Sequence, residues 1–217
     1  MADLDPQVGY WDAAAATKTF THPVYWPWVA AYNRRTAVVI DYGCGYGRVT
    51  NEFVERGFGQ IYGVDISPAM VARARREYPN GKFGVIGQPP RLFEVDAHTD
   101  LVLLFAVLTC VPEDSGQRTI IDELKRVLKP GGAIYISDLL LQEDARNRER
   151  YAKALPRFGT YGVFETDDGA VCRHHTREHL RALLDGFEIV ADRDIMVPTM
   201  NGHQAHGVQL LVRRLAG

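Results

Sequence analysis

Cysteine is scarce in this sequence, and its three copies lie far apart. Cys44, Cys110 and Cys172 are odd in number and include no Cys-x-x-Cys pair, which argues against a disulfide framework or a structural zinc site. Such usage is typical of a reducing compartment. We therefore predict a cytoplasmic protein.

An excess of one charge sign and a long hydrophobic run are also missing. Lysine and arginine total 25 against 27 acids, a formal net charge of -2, so no global field attracts nucleic acid. No apolar run approaches the roughly 20 residues that span a bilayer. Residues 1–5 are acidic and lack the apolar stretch of a signal peptide. We expect neither nucleic acid nor a membrane as a partner.

The middle of the chain alternates between short apolar runs and helix-like stretches. The runs are apolar throughout, which is typical of parallel strands covered by helices on both faces. Repeated strand–helix units predict an open, doubly wound α/β sheet with ligands outside the carboxyl ends of its strands. The predicted strands are 37–41, 61–65, 83–86, 101–105 and 133–137, and the predicted helices are 49–56, 68–77 and 116–128.

We predict one domain with four parts. An aromatic-rich N-terminal cap (1–36) precedes the core (37–138), a lid insertion (139–175) follows strand five, and a closing helix with two strands (176–217) ends the chain. The insertion contains a charged helix over 142–154 and an Asp168-Gly169 hairpin signal. A long insertion in a compact domain is more often functional than filler.

The most informative segment lies at the end of the first predicted strand. The apolar run ends at Asp41, and glycines follow at 43, 45 and 47. Glycine leaves the backbone open to a ligand and allows positive φ. The helix that follows adds the positive end of its dipole. This pattern predicts a cofactor loop.

Two cofactor classes compete for this loop. A nicotinamide fingerprint requires Gly-x-Gly-x-x-Gly, but Arg48 occupies the position of the third glycine. Asp41 would also repel a pyrophosphate. An acid there suits a cationic ligand.

Four segments, in order, carry a family resemblance. They are Asp-x-Gly-Cys-Gly-x-Gly-Arg at 41–48, Gly-Val-Asp-Ile-Ser at 63–67, the strand at 100–103 leading to Val107-Leu108, and Leu-Lys-Pro-Gly-Gly at 128–132. With these segments the chain resembles the class I S-adenosylmethionine-dependent methyltransferases of small-molecule type. The resemblance implies a Rossmann-like, seven-stranded, mostly parallel sheet whose last strand is antiparallel. It also implies S-adenosylmethionine as cofactor.

The resemblance implies specific cofactor contacts. Asp65 would accept both ribose hydroxyls, and Asp41 would lie near the methionine ammonium. Further expected contacts are Gly43 and Gly45 against the amino-acid and ribose parts, Ile66 on the adenine face, Gln88 at the adenine amine, and the carbonyls of Phe105 and Ala106 at the ammonium. Many small-molecule members carry a histidine after the fourth strand, but this chain has Val-Leu-Thr-Cys at 107–110.

Methyl transfer is an in-line displacement, so orientation can supply about 7–11 kcal/mol of the barrier. A base adds roughly 10²–10⁴-fold where the acceptor must lose a proton. His174 and His175 are the candidate bases, and the alternative for either is a hydrogen bond that holds the hairpin. Candidate acceptor contacts are His22, Tyr151, Tyr161, Glu165 and Asn201. Tyr10 and Trp11 either pack in the core or cover the sulfonium by cation–π attraction. No metal is expected.

The sequence therefore predicts methyl transfer to a nitrogen or oxygen atom of a small organic molecule, with carbon as a third option. The protein would act as a monomer or homodimer. Three alternatives stay open: a methyltransferase of proteins or nucleic acids, a nicotinamide-linked oxidoreductase, and a cofactor-binding regulator without catalysis.

Overall fold

Strands and helices alternate along most of the chain in the computed structural model, which describes residues 7–215. The first part contains α1 (Val8–Ala14), β1 (Val39–Tyr42), α2 (Arg48–Glu55), β2 (Ile61–Asp65), α3 (Pro68–Glu77), β3 (Phe83–Val85), β4 (Thr99–Phe105), α4 (Asp114–Val127) and β5 (Leu128–Leu139). The second part contains α5 (Ala145–Phe158), β6 (Val163–Glu165), β7 (Val171–Arg173), α6 (Arg177–Leu183), β8 (Phe187–Pro198) and β9 (Gln204–Arg214). The prediction that residues 1–5 are not part of a signal peptide concerns residues outside the described ones.

Seven strands form one sheet in the order β3-β2-β1-β4-β5-β9-β8. Strands β1 to β5 pair in parallel, and β9 runs antiparallel to both β5 and β8. The predicted α/β architecture and its antiparallel last strand are confirmed. Because β1 pairs with both β2 and β4, the chain reverses direction across the sheet at β1, where ligands of such folds bind.

The central strands are buried on both faces, as their unbroken apolar runs predict. Leu101, Val102, Leu103 and Leu104 of β4 are each completely buried. Alternate residues of one strand therefore contribute to different clusters, one on each side of the sheet. The sheet is thus a rigid support for the segments that follow its strand ends.

Two tryptophans of the N-terminal segment pack against aromatic rings of the core. Trp26 packs on Phe53 with ring centroids 5.0 Å apart, and Trp28 packs edge-on against Tyr135 at 5.2 Å. Both rings are partly buried and pack against the core cluster on that side of the sheet. Within residues 7–215, no helix combines the length and the apolar character needed to cross a membrane.

The insertion after β5 forms α5 and a two-stranded hairpin of β6 and β7. The predicted helix 142–154 is displaced, because Asp144 caps α5 by accepting from the Asn147 N–H at 3.1 Å and Gly159 ends it in a left-handed conformation. Gln7 joins α1 to this hairpin through two hydrogen bonds with the backbone of Val171. The division into one domain with four parts stays a prediction.

The tight approach between Gly162 and His174 gives a test of the hairpin. Gly162 has φ +98°, and a Cβ there would lie 2.5 Å from the carbonyl oxygen of His174. Gly169 has φ +91° with open space around it. Gly169→Ala should therefore cost only the backbone strain, about 1–3 kcal/mol. Gly162→Ala should lower the free energy of unfolding further, as measured by chemical denaturation. Equal losses in the two variants would contradict the contact.

Candidate cofactor and acceptor site

A cavity opens at the carboxyl ends of β1, β2 and β4. One end is lined by the glycine loop and the segments after the strands, and the other by residues of the insertion and of the β8–β9 turn. The lining includes Trp11, Phe20, His22, Gly43, Gly45, Asp65, Ile66, Phe105, Ala106, Arg146, Arg150, Phe164, His174 and Asn201. The cavity thus joins two chemically different ends.

The glycine loop is largely buried and its N–H groups are bonded within the protein, but Gly43 and Gly45 line the cavity. Gly45 has φ +53°, and a side chain there would collide with the ring of Phe20. The N–H groups of Gly43 and Cys44 both donate to the carbonyl of Val64, at 2.8 and 3.0 Å. These bonds tie the loop to the end of β2. A ligand can therefore lie against its main chain.

Asp65 closes β2 and lines the cavity. One carboxylate oxygen accepts from the Gly45 N–H at 2.8 Å and the other from the Ser67 N–H at 2.9 Å. Burial raises its pKa, and these backbone bonds oppose the rise. Each oxygen retains acceptor capacity. The carboxylate is thus fixed in orientation and still able to accept from a diol.

Asp41 does not line the cavity. It is buried and accepts from the Thr50 hydroxyl at 2.6 Å, while burial raises its pKa to about 6. Its charge can act on a ligand only through the intervening protein.

The strand ends also carry a strained residue. Ala106 follows β4 with φ +55°, which a non-glycine residue adopts rarely and at a cost of order 1–3 kcal/mol. Its N–H donates to Ser137 at 2.7 Å, and its carbonyl accepts from the Cys110 thiol at 3.2 Å. Such residues concentrate at binding sites. Ala106 and the neighbouring Phe105 both line the cavity.

The remaining predicted cofactor residues occupy different positions. Ile66 and Trp11 line the cavity. Tyr10 does not line it, because its hydroxyl donates to Asp168 at 2.9 Å. Gln88 is exposed outside the lining, and Pro89 beside it provides the wall there.

His174 belongs to the far end of the cavity and has a fixed proton arrangement. Its Nδ1 lies 2.6 Å from the Tyr151 hydroxyl, which also accepts from the Gln142 N–H at 3.1 Å. Since Tyr151 is completely buried, its own proton needs an acceptor, and among residues 7–215 that acceptor is Nδ1. The imidazole proton is therefore on Nε2. Burial lowers the pKa of His174 to about 3, so the ring is neutral.

His175 lies outside the cavity lining and is 1% exposed. Its Nε2 is 2.9 Å from the amide of Gln117, and its Nδ1 is 3.3 Å from the Leu139 carbonyl. Burial lowers its pKa to about 3. These contacts correspond to the alternative in which a histidine holds the hairpin in place.

Two of the five expected acceptor contacts line the cavity. They are His22, whose Nδ1 lies 2.8 Å from the Ser137 hydroxyl, and Asn201, which accepts from Lys18 at 2.6 Å. Tyr151 supports His174 from behind. Tyr161 is half exposed and packs on Tyr151, and Glu165 pairs with Arg157 at 2.5 Å, so neither lines the cavity.

Sequence reasoning missed Arg146 and Arg150, which line the far end from α5. A cluster of arginines on a helix is usually a solvated face. The available signal was their separation of four residues, which places two side chains on the same face of a helix. It could not show which face is turned inward.

Comparison with known proteins supports the same assignment. Residues 40–136 match the family model described as a methyltransferase domain. A SAM-dependent methyltransferase structure from Methanosarcina mazei superposes with a TM-score of 0.83 and 25% identity, over 89% of this chain and 99% of that one.

Two curated relatives match this chain over only about half of their own lengths. Carboxy-S-adenosyl-L-methionine synthase of Chromohalobacter salexigens is 34% identical over 53% of this chain and 46% of the relative. Ribosomal protein L11 methyltransferase of Cupriavidus metallidurans is 26% identical over 81% of this chain and 55% of the relative. The chain thus spans about half the length of these relatives.

The glycine loop, the buried acid closing β2 and the strand order occur together with these similarities. Residues 40–136 form a methyltransferase domain, and the chain has the fold and cofactor loop of the class I S-adenosylmethionine-dependent methyltransferases.

Proposed function

We propose that this protein transfers a methyl group from S-adenosylmethionine to a small organic molecule held in the cavity. The observation that carries the proposal is the continuity of the cavity between the glycine loop and the insertion. Donor and acceptor can lie end to end in it, which in-line displacement requires. The acceptor atom would be a nitrogen or oxygen, with carbon as the third option.

The residues at the loop end fit the cofactor. Asp65 offers two oriented carboxylate oxygens to a ribose diol, and Ile66 offers an apolar surface to adenine. Gly43 and Gly45 leave backbone for the amino-acid part, and Phe105 and Ala106 supply carbonyls at the end of β4. When bound, the cofactor supplies a methyl group activated by its sulfonium. The chain binds and orients it.

Contacts between distant segments support a small acceptor. The Lys18 ammonium pairs with Asp168 of the hairpin turn at 2.5 Å and donates to Asn201 of the β8–β9 turn at 2.6 Å. Tyr10 donates to the same Asp168. Three segments thus meet beside the cavity, an arrangement that limits the room for a polymer.

His174 fits the role of a hydrogen-bond donor better than that of a base. Its Nδ1 accepts from Tyr151, and Nε2 carries the proton. A neutral donor can hold an acceptor molecule in the attacking orientation. Orientation alone supplies about 7–11 kcal/mol when the reacting atoms are well aligned.

The direct test is methyl transfer from radiolabelled S-adenosylmethionine. We expect label to enter small molecules from a metabolite panel, with S-adenosylhomocysteine formed in equal amount. Ribosomal protein and bulk RNA serve as parallel substrates. Label confined to those macromolecules would favour the alternative methyltransferase class. Binding of NADH without S-adenosylhomocysteine binding would favour the oxidoreductase.

Asp65→Asn tests the cofactor end. The amide retains one acceptor oxygen but loses the charge. We expect affinity for S-adenosylhomocysteine to fall by about one to two orders of magnitude, the range for hydrogen bonds to a charged group. Isothermal titration calorimetry measures the change, and Asp122→Asn on α4, outside the cavity lining, is the matched control. Unchanged affinity in Asp65→Asn would show that the carboxylate does not contact the cofactor.

The proton arrangement of His174 is testable by ¹⁵N NMR of the imidazole. Since burial lowers its pKa to about 3, we expect a neutral ring with the proton on Nε2 throughout about pH 5 to 8. Tyr151→Phe should abolish this single-tautomer signature, because it removes the donor to Nδ1. Tyr161→Phe, which removes a hydroxyl without such a bond, should preserve it. A proton on Nδ1 in the wild type would restore His174 as a candidate base.

A further inference from the structure

Two arginines of α5 line the far end of the cavity without a carboxylate in direct contact among the described residues. Arg146 and Arg150 both line it, and they lie four residues apart on one helix face. Neither forms an ion pair with a carboxylate among the described residues, and Asp144, which caps α5, acts on both only from a longer distance. Their charge is therefore available to a ligand.

Arg150 is held in place but not satisfied. Its guanidinium carbon lies 3.9 Å above the ring of Phe164, and Nη2 donates to the Asn147 side-chain oxygen at 2.5 Å. Its Nε is buried and donates to no atom of the described residues. An unpaired, partly buried guanidinium is costly. Accordingly, burial and the nearby charge of Arg146 lower the pKa of Arg150.

His174 adds a neutral donor beside the same ring. The imidazole packs edge-on against Phe164 with centroids 5.0 Å apart, on a ring that Arg150 also covers. Both side chains line the cavity. With its proton on Nε2, His174 offers one hydrogen-bond donor, and the guanidinium of Arg150 offers several.

The cavity's other charges leave this end positive. Among the described lining residues, Asp65 is the one acid, and it belongs to the loop end beside Gly45. Guanidinium groups bind carboxylate and phosphate oxygens with paired, charge-assisted hydrogen bonds. The far end therefore has the donor set of an oxyanion site.

We infer that the methyl acceptor is an anion whose carboxylate or phosphate group is bound by Arg150 and Arg146, with His174 as a further donor. This inference rests on the proposed function and adds the chemical class of its substrate. The oxyanion anchors the acceptor on α5, while the opposite end of the cavity holds the cofactor.

The test uses full-length protein saturated with S-adenosylhomocysteine and four probes. Acetate, benzoate and inorganic phosphate are the anions, and benzamide is the neutral counterpart of benzoate. We expect at least one anion to raise the melting temperature of the complex and benzamide to have no effect. Benzoate or acetate binding without phosphate binding identifies a carboxylate site, and the reverse identifies a phosphate site.

Arg150→Gln should weaken binding of the anion at least about tenfold, as expected for loss of a charge-assisted bond. Affinity for S-adenosylhomocysteine should stay unchanged. Arg148→Gln, an exposed residue of the same helix outside the cavity lining, is the matched control and should behave as wild type. Arg146→Gln, at an exposed position, gives a second variant should Arg150→Gln fold poorly.

Three results would overturn the inference. The first is that no anion stabilises the wild-type protein. The second is that Arg150→Gln and Arg148→Gln bind the anion equally well. The third is that Arg150→Gln loses affinity for S-adenosylhomocysteine, which would assign the arginine to the cofactor's own carboxylate. Wild-type protein that fails to bind S-adenosylhomocysteine would instead contradict the proposed function. Anion titration of the cofactor-free protein would then test the arginine site independently.

Discussion

The parallel pairing of β1 with both β2 and β4 positions the glycine loop, Asp65 and Ala106 at one edge of the sheet. This pairing brings the carboxyl ends of three strands to one edge of the sheet. The carbonyl of Val64 alone accepts two N–H groups of the glycine loop, so the loop of β1 is fixed by the end of β2. The strain at Ala106 is sustained by the same rigid support.

Polar groups in the interior are arranged in two ways. At the loop end, Asp65 is oriented by two backbone N–H groups and still accepts more. At the far end, Tyr151 fixes His174, whereas Arg150 keeps a buried Nε without a partner. The first arrangement suits the hydroxyl groups of a cofactor, and the arginines that line the far end suit an oxyanion on the methyl acceptor. Because the two ends differ in their polar groups, the methyl donor and the methyl acceptor would each bind at one end of the same cavity.

Much of the core was predictable because its signals are local. Unbroken apolar runs predict strands buried on both faces, and glycines spaced by two predict an exposed backbone loop. Each predicted strand of the sheet is present, and the hairpin forms at its Asp-Gly signal. The limits of α5 were less predictable, since they depend on the cap at Asp144 and the left-handed Gly159 rather than on periodicity.

The sequence by itself determined the fold class, the cofactor loop and the acid that closes β2, because each depends on residues close together in the chain. Only the tertiary structure decided which polar residues reach the cavity. His174 and His175 are neighbours in sequence, yet one lines the cavity and the other bonds to Gln117, because successive residues of an extended segment point to opposite sides. Arg150 became a site residue through the packing of α5 on the hairpin, a contact between segments that no local pattern encodes.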